Sequence, residues 1–319
     1  MDSEIWVLGD YRPGTTNQAI ALAKELKLSF ELKNIEYNIF GKLPNLLLQI
    51  YPIHIKQNIL QSLGCSNPPK IIISSGRRTA PLALYLKRKF DNKPKVIQIM
   101  KPNIAHAEFD LIILPKHDVV VEESPNIVRI IGALSSVDLE KGREELNKNY
   151  PSAKKFIGVI IGGDSKNYKF DEYSCIAFVS ILSTLITNHS LPFFISFSRR
   201  TPDFMKQIIQ DNFSSPHIIY DPKNGGSNPY LGILASGGYI ISTADSISMC
   251  SEAAYSGKPL YIFYQDDFAL KKHKSFIEEL IKLGIAKRLD RSVSHLEEYT
   301  YKPLNETKRI AEIIKDRLL

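Results

Sequence analysis

Short and almost uninterrupted apolar runs recur along this chain, and stretches with the apolar spacing of a helix separate them. The first run, residues 5–8, precedes residues 16–26, in which apolar side chains recur every three or four positions. Strands that are apolar on both faces are typical of a parallel sheet covered by helices on both sides. The sequence therefore predicts an α/β fold with parallel sheets.

The same alternation predicts further elements in both halves of the chain. In the first half we expect strands at residues 70–74, 96–100, 111–114 and 127–131, with a helix at 79–89. In the second half we expect strands at residues 156–161, 193–197, 217–220, 239–242 and 260–264, with helices from 171, after 202, through 249–255 and from 271. Two such series predict two Rossmann-like domains.

A length of 319 residues allows two domains that each bury a core. Polar helical residues at 138–149 end before Pro151, and a new apolar strand follows, so we place the domain boundary near Pro151. The prediction is an N-terminal acceptor domain at 1–151, a nucleotide-sugar domain at 152–304, and a C-terminal helix at 305–319 that can return to the first domain. Two facing Rossmann-like domains form a GT-B-like fold, with ligands expected between them at the carboxyl ends of the strands.

The charge pattern favours small anionic ligands and membrane surfaces over nucleic acid. The net charge is +7, but the Lys and Arg residues are scattered, and no basic block is interleaved with aromatic residues. No basic region followed by an apolar one begins the chain, and no apolar stretch approaches the roughly 20 residues of a spanning helix. We expect a cytoplasmic protein with a peripheral contact to the anionic inner membrane and no nucleic-acid partner.

The strongest local motif lies at a predicted strand-to-helix junction, residues 242–254, followed by Gly257-Lys258-Pro259. Hydroxyl groups such as that of Ser246, with the backbone N–H groups of a helix start, can bind a pyrophosphate. Glu252 lies under two turns further on, where its carboxylate can accept hydrogen bonds from ribose hydroxyls. The alternative is a helix cap followed by a surface glutamate.

Two other strand ends carry residues suited to phosphate. Gly162 and Gly163 form a turn that allows close approach of a ligand to the backbone. Arg199 and Arg200 follow another strand and precede a proline-started helix, where an arginine fork suits a diphosphate leaving group. A solvated arginine pair is the alternative.

The first domain contains the candidate catalytic and acceptor-binding residues. Asp10, in a polar turn after the first strand, is our first choice of general base for an acceptor hydroxyl, although a helix-capping role is the alternative. His117 and Asp118 are the rival base. The acceptor-binding candidates are Arg12, Asn17, Arg77 and Arg78.

The mechanism expected from these residues needs no metal and no cofactor beyond the nucleotide sugar as co-substrate. The D-x-D motif of metal-dependent transferases is absent, and Asp266-Asp267 does not have its spacing. Neither a Walker-type phosphate loop nor a G-x-S-x-G elbow occurs, which weakens kinase, NTPase and hydrolase alternatives.

Several motifs in fixed order resemble one family, the bacterial relatives of the plant "elongated mitochondria" fission factor, whose members are described as GT-B glycosyltransferases. The resemblance spans almost the whole chain and rests on Trp6, residues 9–14, Asn17-Gln18, 75–78, Pro115 with His117-Asp118, 132–134, 161–163, 198–202, 228–230, 243–249 and Glu252-Ala253. It implies that Ser246, Ser248, Met249 and Glu252 contact a sugar nucleotide.

The function expected from the motifs and the resemblance is transfer of a sugar from a nucleotide sugar to a cell-envelope or lipid-linked glycan acceptor. A non-catalytic, membrane-associated binding or fission-like protein on the same scaffold is the alternative, because a fold does not determine a function. A nucleotide-sugar epimerase, which needs no separate acceptor, is a third candidate.

Overall fold

The structure is a computed structural model that describes residues 3–48, 50–65, 67–118, 124–165, 168–266, 268 and 270–319. It divides into two compact units. The first unit contains Met1–Ser136 and Asn305–Leu319, and the second contains Val137–Leu304.

The first unit is built on a parallel sheet of six strands in the order β2-β1-β3-β4-β5-β6. Its elements, in chain order before the second unit, are β1 (Ile5–Gly9), α1 (Pro13–Leu26), β2 (Phe30–Asn34), a 3-10 turn (Ile39–Lys42), α2 (Asn45–Leu48), α3 (Gln57–Cys65), β3 (Ile71–Ser75), α4 (Thr79–Lys89), β4 (Lys95–Ile99), β5 (Leu111–Pro115) and β6 (Ile127–Ile130).

Strand β1 shows why the sheet is apolar on both faces. Ile5 and Val7 belong to a core cluster that includes residues of α1, whereas Trp6 and Leu8 belong to another that includes residues of α4. Alternate side chains of one strand therefore pack against helices on opposite sides of the sheet. The prediction of parallel sheets in an α/β fold is confirmed.

The second unit contains another parallel six-stranded sheet, in the order β12-β11-β10-β7-β8-β9. Its elements are α5 (Leu139–Asn149), β7 (Ile157–Ile161), α6 (Glu172–Asn188), β8 (Phe193–Phe197), α7 (Asp203–Asn212), β9 (Ile218–Tyr220), a 3-10 turn (Pro222–Asn224), α8 (Tyr230–Ser236), β10 (Tyr239–Thr243), α9 (Ile247–Tyr255), β11 (Leu260–Phe263), α10 (Lys271–Lys282) and β12 (Ala286–Leu289). The strand order reverses between β7 and β10, so a crevice is expected outside their carboxyl ends.

The division between the units lies before α5, whereas the sequence analysis placed it near Pro151, after this helix. Close packing of α5 on α8 explains the difference. A Cβ atom added to Gly142 would lie 2.7 Å from the backbone carbon of Leu231, and one added to Gly232 would lie 2.5 Å from Cβ of Leu146. The two glycines let the helices approach closely enough to include α5 in the second unit.

The C-terminal helix α11 (Glu306–Leu318) belongs to the first unit. Its buried residues Ile310, Ala311 and Ile314 share a core cluster with Ala19 and Leu22 of α1. The hydroxyl of Thr307 also donates to the carbonyl of Ser135 at 2.8 Å.

Edge strands β2 and β12 were not predicted. Their sequences, Phe-Glu-Leu-Lys-Asn and Ala-Lys-Arg-Leu, are short and carry charges because edge strands have an exposed side. Among the residues that the structure describes, no helix has the length and hydropathy needed to span a membrane.

Candidate functional site

A cleft of about 370 Å³ lies in the second unit, at the carboxyl ends of β7, β8 and β9 and the start of α9. Its lining comes from four separate segments of the chain. These residues are Gly162, Ser196, Phe197, Ser198, Arg199, Arg200, Tyr220, Pro222, Asn228, Tyr230, Ser246, Ser248, Met249 and Glu252.

The cleft brings together most of the residues predicted to bind the donor. Gly162, Arg199, Arg200, Ser246, Ser248, Met249 and Glu252 line it, and only Gly163 of the predicted set does not. Their role in nucleotide binding stays a prediction, but segments up to 90 residues apart in sequence meet at this one surface.

The start of α9 has the features of an anion-binding helix terminus. Ser246 is its N-cap and accepts a hydrogen bond from the Met249 backbone N–H at 3.3 Å. Ser246 and Ser248 both line the cleft, so the positive end of the helix dipole adjoins it. The helix is nine residues long, long enough for aligned peptide dipoles to act at its terminus.

The buried carboxylate of Asp245 joins the strand ends beneath the cleft. It accepts hydrogen bonds from the Gly163 backbone N–H at 2.8 Å and the Thr243 hydroxyl at 2.7 Å, and the Arg200 guanidinium lies 3.7 Å away. Burial raises the pKa of Asp245, while these partners act in the opposite direction. The sequence analysis did not select Asp245, although it lies within the motif at 242–254.

Contacts within the protein also require glycine at Gly162 and Gly163. A Cβ atom on Gly162 would lie 2.1 Å from a carboxylate oxygen of Asp245, and one on Gly163 would lie 2.1 Å from the backbone of Arg200. Other parts of the protein, rather than a ligand, therefore occupy the space that a side chain would fill. The glycines allow the ends of β7, β8 and β10 to close on each other.

The two adjacent arginines have different surroundings. The Arg200 guanidinium donates to the carbonyl of Asp164 at 3.1 Å as well as lying near Asp245, so it holds the loops together. Arg199 is exposed and lines the cleft. Of the two arginines predicted to bind a diphosphate, Arg199 is therefore the one placed to contact an anion in the cleft.

Glu252 is held by a tyrosine that the sequence analysis missed as a site residue. The Tyr230 hydroxyl donates to Oε2 of Glu252 at 2.5 Å. Burial raises the pKa of Glu252, with an opposing contribution from this hydrogen bond, and burial with the adjacent carboxylate raises the pKa of Tyr230. Tyr230 lies in the motif at residues 228–230, which supported the family resemblance but was not interpreted as part of a binding site.

In the first unit, the rival general bases lie at the same edge of the sheet but not together. Asp10 follows β1 and His117-Asp118 follows β5, with β3 and β4 between them. Three strand spacings amount to about 14 Å. Asp10 and the His117-Asp118 pair therefore cannot act on the same atom of an acceptor.

Asp10 makes the backbone contacts of a turn that precedes a helix. Its N–H donates to the Thr16 hydroxyl at 2.9 Å, and that hydroxyl donates to the Asp10 carbonyl at 2.7 Å. Oδ1 of its carboxylate is buried with no hydrogen-bond partner among the described residues. The backbone is used structurally, while the catalytic role of the side chain stays a prediction.

The predicted acceptor-binding residues fall into two kinds. The Arg77 guanidinium donates to the carbonyl of Leu43 at 2.8 Å and to Oδ1 of Asn45 at 3.3 Å, which are the contacts of a structural residue. The Arg78 guanidinium instead lies 4.7 Å from the ring centre of Tyr11. The other two candidates, Arg12 at the start of α1 and Asn17 within it, are exposed.

Two Rossmann-like units, each with a parallel six-stranded sheet, define the GT-B class of fold. Solved structures share it. A UDP-GlcNAc 2-epimerase from Methanocaldococcus jannaschii superposes with a TM-score of 0.59 at 13% identity, covering 98% of this chain and 99% of that one. The glycotransferase of kitacinnamycin superposes with a TM-score of 0.55 at 12% identity and covers all of both chains.

Within this class, the chain belongs to the family described as Mitochondrial fission ELM1, whose model matches residues 13–318. An uncharacterized protein, RP120 of Rickettsia prowazekii, is 48% identical over 98% of this chain and 97% of its own length. The Mitochondrial fission protein ELM1 of Arabidopsis thaliana is 28% identical over 78% of this chain, which spans 64% of the length of that protein. The predicted family and the GT-B-like fold class are confirmed.

Proposed function

We propose that the cleft of the second unit binds a nucleotide sugar, and that the protein is a metal-independent glycosyltransferase with a cell-envelope or lipid-linked acceptor. The observation that carries this proposal is the convergence of three kinds of group in one cleft: a helix N-terminus, an exposed arginine and a carboxylate held by a tyrosine. These groups match the diphosphate and the ribose of a sugar nucleotide.

Each group has a role in this proposal. The N-terminus of α9, with Ser246 and Ser248, faces the pyrophosphate, and Arg199 adds a positive charge. Glu252 accepts hydrogen bonds from the ribose hydroxyls. Because Tyr230 already donates to Oε2, the carboxylate is oriented before the ligand arrives, which reduces the entropy lost on binding.

The proposed reaction is displacement at the anomeric carbon of the sugar. The acceptor hydroxyl oxygen forms the new bond to that carbon, the bond between the carbon and the phosphate oxygen breaks, and the nucleoside diphosphate leaves with the electron pair. The hydroxyl proton passes to a general base, for which Asp10 is the candidate. The dipole of α9 and Arg199 stabilise the negative charge that develops on the leaving group.

A non-catalytic nucleotide-binding role is the second candidate. The observation that favours it is the structural commitment of the Arg77 guanidinium, a predicted acceptor-binding group. In that case the cleft of the second unit would retain its ligand while the first unit would carry no chemistry.

The test combines binding with turnover. Thermal stabilisation by a panel of nucleoside diphosphates and their sugars identifies the ligand, since a ligand at about 100 times its Kd adds roughly 2.7 kcal/mol of stability. Release of the nucleoside diphosphate is then measured with membrane extracts as acceptor, on wild type and Asp10→Asn. Transfer that Asp10→Asn abolishes supports the transferase.

Other outcomes discriminate among the candidates. Ligand binding without release of the diphosphate supports the non-catalytic role, whereas an isomerised sugar nucleotide formed without acceptor would identify an epimerase. No stabilisation by any nucleotide would refute a nucleotide site in this cleft.

A further inference from the structure

Residues 39–53 of the first unit carry many exposed apolar side chains. We refer to these residues as the apolar segment; Gln49 within it lies outside the described residues. Ile39 is 85% exposed and Ile50 is 82% exposed. Of fourteen exposed large apolar side chains among the described residues, seven belong to this segment: Ile39, Phe40, Leu46, Leu47, Ile50, Tyr51 and Ile53. Single exposed apolar residues are ordinary, but a cluster of this kind marks an interaction surface.

The apolar segment is held in place by polar contacts from beneath. The side-chain amide of Asn45 donates to the carbonyl of Arg77 and to a second backbone carbonyl, both at 2.6 Å, and the Arg77 guanidinium donates back to the segment. In the short helix α2, Asn45 and Leu48 are consequently buried, while Leu46 and Leu47 are 68% and 63% exposed. The fold thus directs these two leucines towards solvent.

Positive charge accompanies the apolar surface. No Asp or Glu occurs between Glu36 and Asp91, whereas this stretch contains eight basic residues: Lys42, Lys56, Lys70, Arg77, Arg78, Lys87, Arg88 and Lys89. Three of the eight adjoin the apolar segment. Lys42 lies within it, Arg77 is hydrogen-bonded to it, and the Arg78 carbonyl lies 2.9 Å from Nε2 of His54, which directly follows it.

We propose that the apolar segment docks the first unit on the surface of an anionic lipid bilayer. Leu46 and Leu47, with the other exposed apolar side chains, enter the boundary between headgroups and acyl chains, and the exposed side chain of Lys42 lies near the lipid phosphates. The segment itself contains Lys42 and no Asp or Glu, so its exposed apolar side chains and its charge both complement such a surface. This inference goes beyond the proposed function and does not depend on it.

The test measures co-sedimentation of the full chain with vesicles of phosphatidylcholine containing about one third phosphatidylglycerol. We expect the wild type to bind them, and Leu46→Ser/Leu47→Ser to bind at least roughly tenfold more weakly, because each leucine contributes buried apolar area. The matched control is Ile176→Ser/Leu283→Ser, which removes two side chains of the second unit that are 52% and 48% exposed. It should bind like the wild type.

The charge contribution is tested separately. Lys42→Glu should weaken binding to the anionic vesicles, and Lys154→Glu, which changes an exposed lysine of the second unit, should not. Vesicles of phosphatidylcholine alone should bind the wild type more weakly. Equal binding to neutral and anionic vesicles would overturn the electrostatic half of the proposal.

Three further results would overturn the docking role. They are no vesicle binding by the wild type, unchanged binding by the double leucine variant, and equal loss in the Ile176/Leu283 control. Size-exclusion chromatography tests whether a second copy of the chain covers this surface instead. If the wild type is a dimer, and the leucine substitutions convert it to a monomer without changing vesicle binding, the surface is a dimer interface. The proposed function is tested by nucleotide-induced thermal stabilisation in solution, without vesicles. The two proposals can therefore fail independently.

Discussion

Replacement of Glu252 by glutamine tests the cleft most directly, because it removes the charge while retaining an oxygen for the Tyr230 hydroxyl. One carboxylate oxygen accepts from Tyr230 at 2.5 Å, so the other is the principal acceptor for ribose. A hydrogen bond to a charged group contributes about 1.5–3 kcal/mol and a neutral one about half of that. Glu252→Gln should therefore weaken nucleoside diphosphate binding by about 1–1.5 kcal/mol, which is roughly fivefold to tenfold in Kd.

Glu252→Ala should have a larger effect. It removes both oxygens and the partner of the Tyr230 hydroxyl, so the loss should approach the full value of about 1.5–3 kcal/mol, or on the order of 10- to 150-fold in Kd. Isothermal titration calorimetry at pH 7 measures both variants with the nucleoside diphosphate identified by thermal stabilisation. The graded order of wild type, Gln and Ala is the expected result.

A matched control separates a local effect from a general change in charge. Glu144→Gln removes one exposed carboxylate from α5, in the same unit, and should leave the Kd unchanged. An unchanged Kd in Glu252→Gln and Glu252→Ala would refute the assignment of ribose to this residue. An equal loss in Glu144→Gln would show that the effect is long-range electrostatics.

Three further predictions concern stability, measured by urea unfolding. Gly163→Ala should lower the free energy of unfolding by about 1–3 kcal/mol, because the added Cβ would lie 2.1 Å from backbone atoms; Gly14→Ala, with no atom within 4 Å, should be neutral or stabilising, and equal effects would contradict the packing argument. Lys206→Met should cost about 3–5 kcal/mol, since it leaves the buried carboxylate of Asp221, now 2.8 Å from the ammonium, without that charged partner and with the Lys223 backbone N–H still donating to it; the double variant with Asp221→Leu should recover much of this loss, and failure to do so would count against an ion-pair effect. Burial raises the pKa of Glu252, so its ionisation penalises the folded state above that group's usual range near pH 4, and the penalty disappears as the pH falls. Glu252→Gln should accordingly gain stability relative to wild type between pH 4 and pH 7, and a difference that is constant or shrinks over this range would contradict the reasoning.

The amino-acid sequence was sufficient for the class of fold and for the interior strands of both sheets. Runs such as Ile71–Ser75 and Ile157–Ile161 are apolar on both faces, and only a parallel sheet with helices on both sides buries such strands. The edge strands β2 and β12 lack this signal. In β12, Lys287 and Arg288 are charged because one side of the strand faces no neighbour, so its pattern resembles a loop.

The positions of candidate donor residues also followed from sequence, because polar residues at the ends of parallel strands share one edge of a sheet. Ser246, Glu252 and Arg199 were found in this way, and all three line the cleft. The contacts among them did not follow. Tyr230 begins a helix that precedes β10, and its pairing with Glu252, 22 residues later, has no periodic signature in the chain.

Only the tertiary structure decided which polar groups bind the protein itself and which face solvent. Sequence places Gly163 and Asp245 about 80 residues apart, but the reversal of strand order makes β7 and β10 neighbours, so the carboxylate accepts from the glycine N–H rather than from a ligand. Likewise, Arg77 and Arg78 are adjacent in the same turn, yet one guanidinium holds the loop at residues 41–45 while the other lies over a tyrosine ring. Residue type and spacing determine which elements form, because these depend on local periodicity and burial. The partner of each polar side chain depends on sheet order and loop path, which bring together atoms that are distant in sequence.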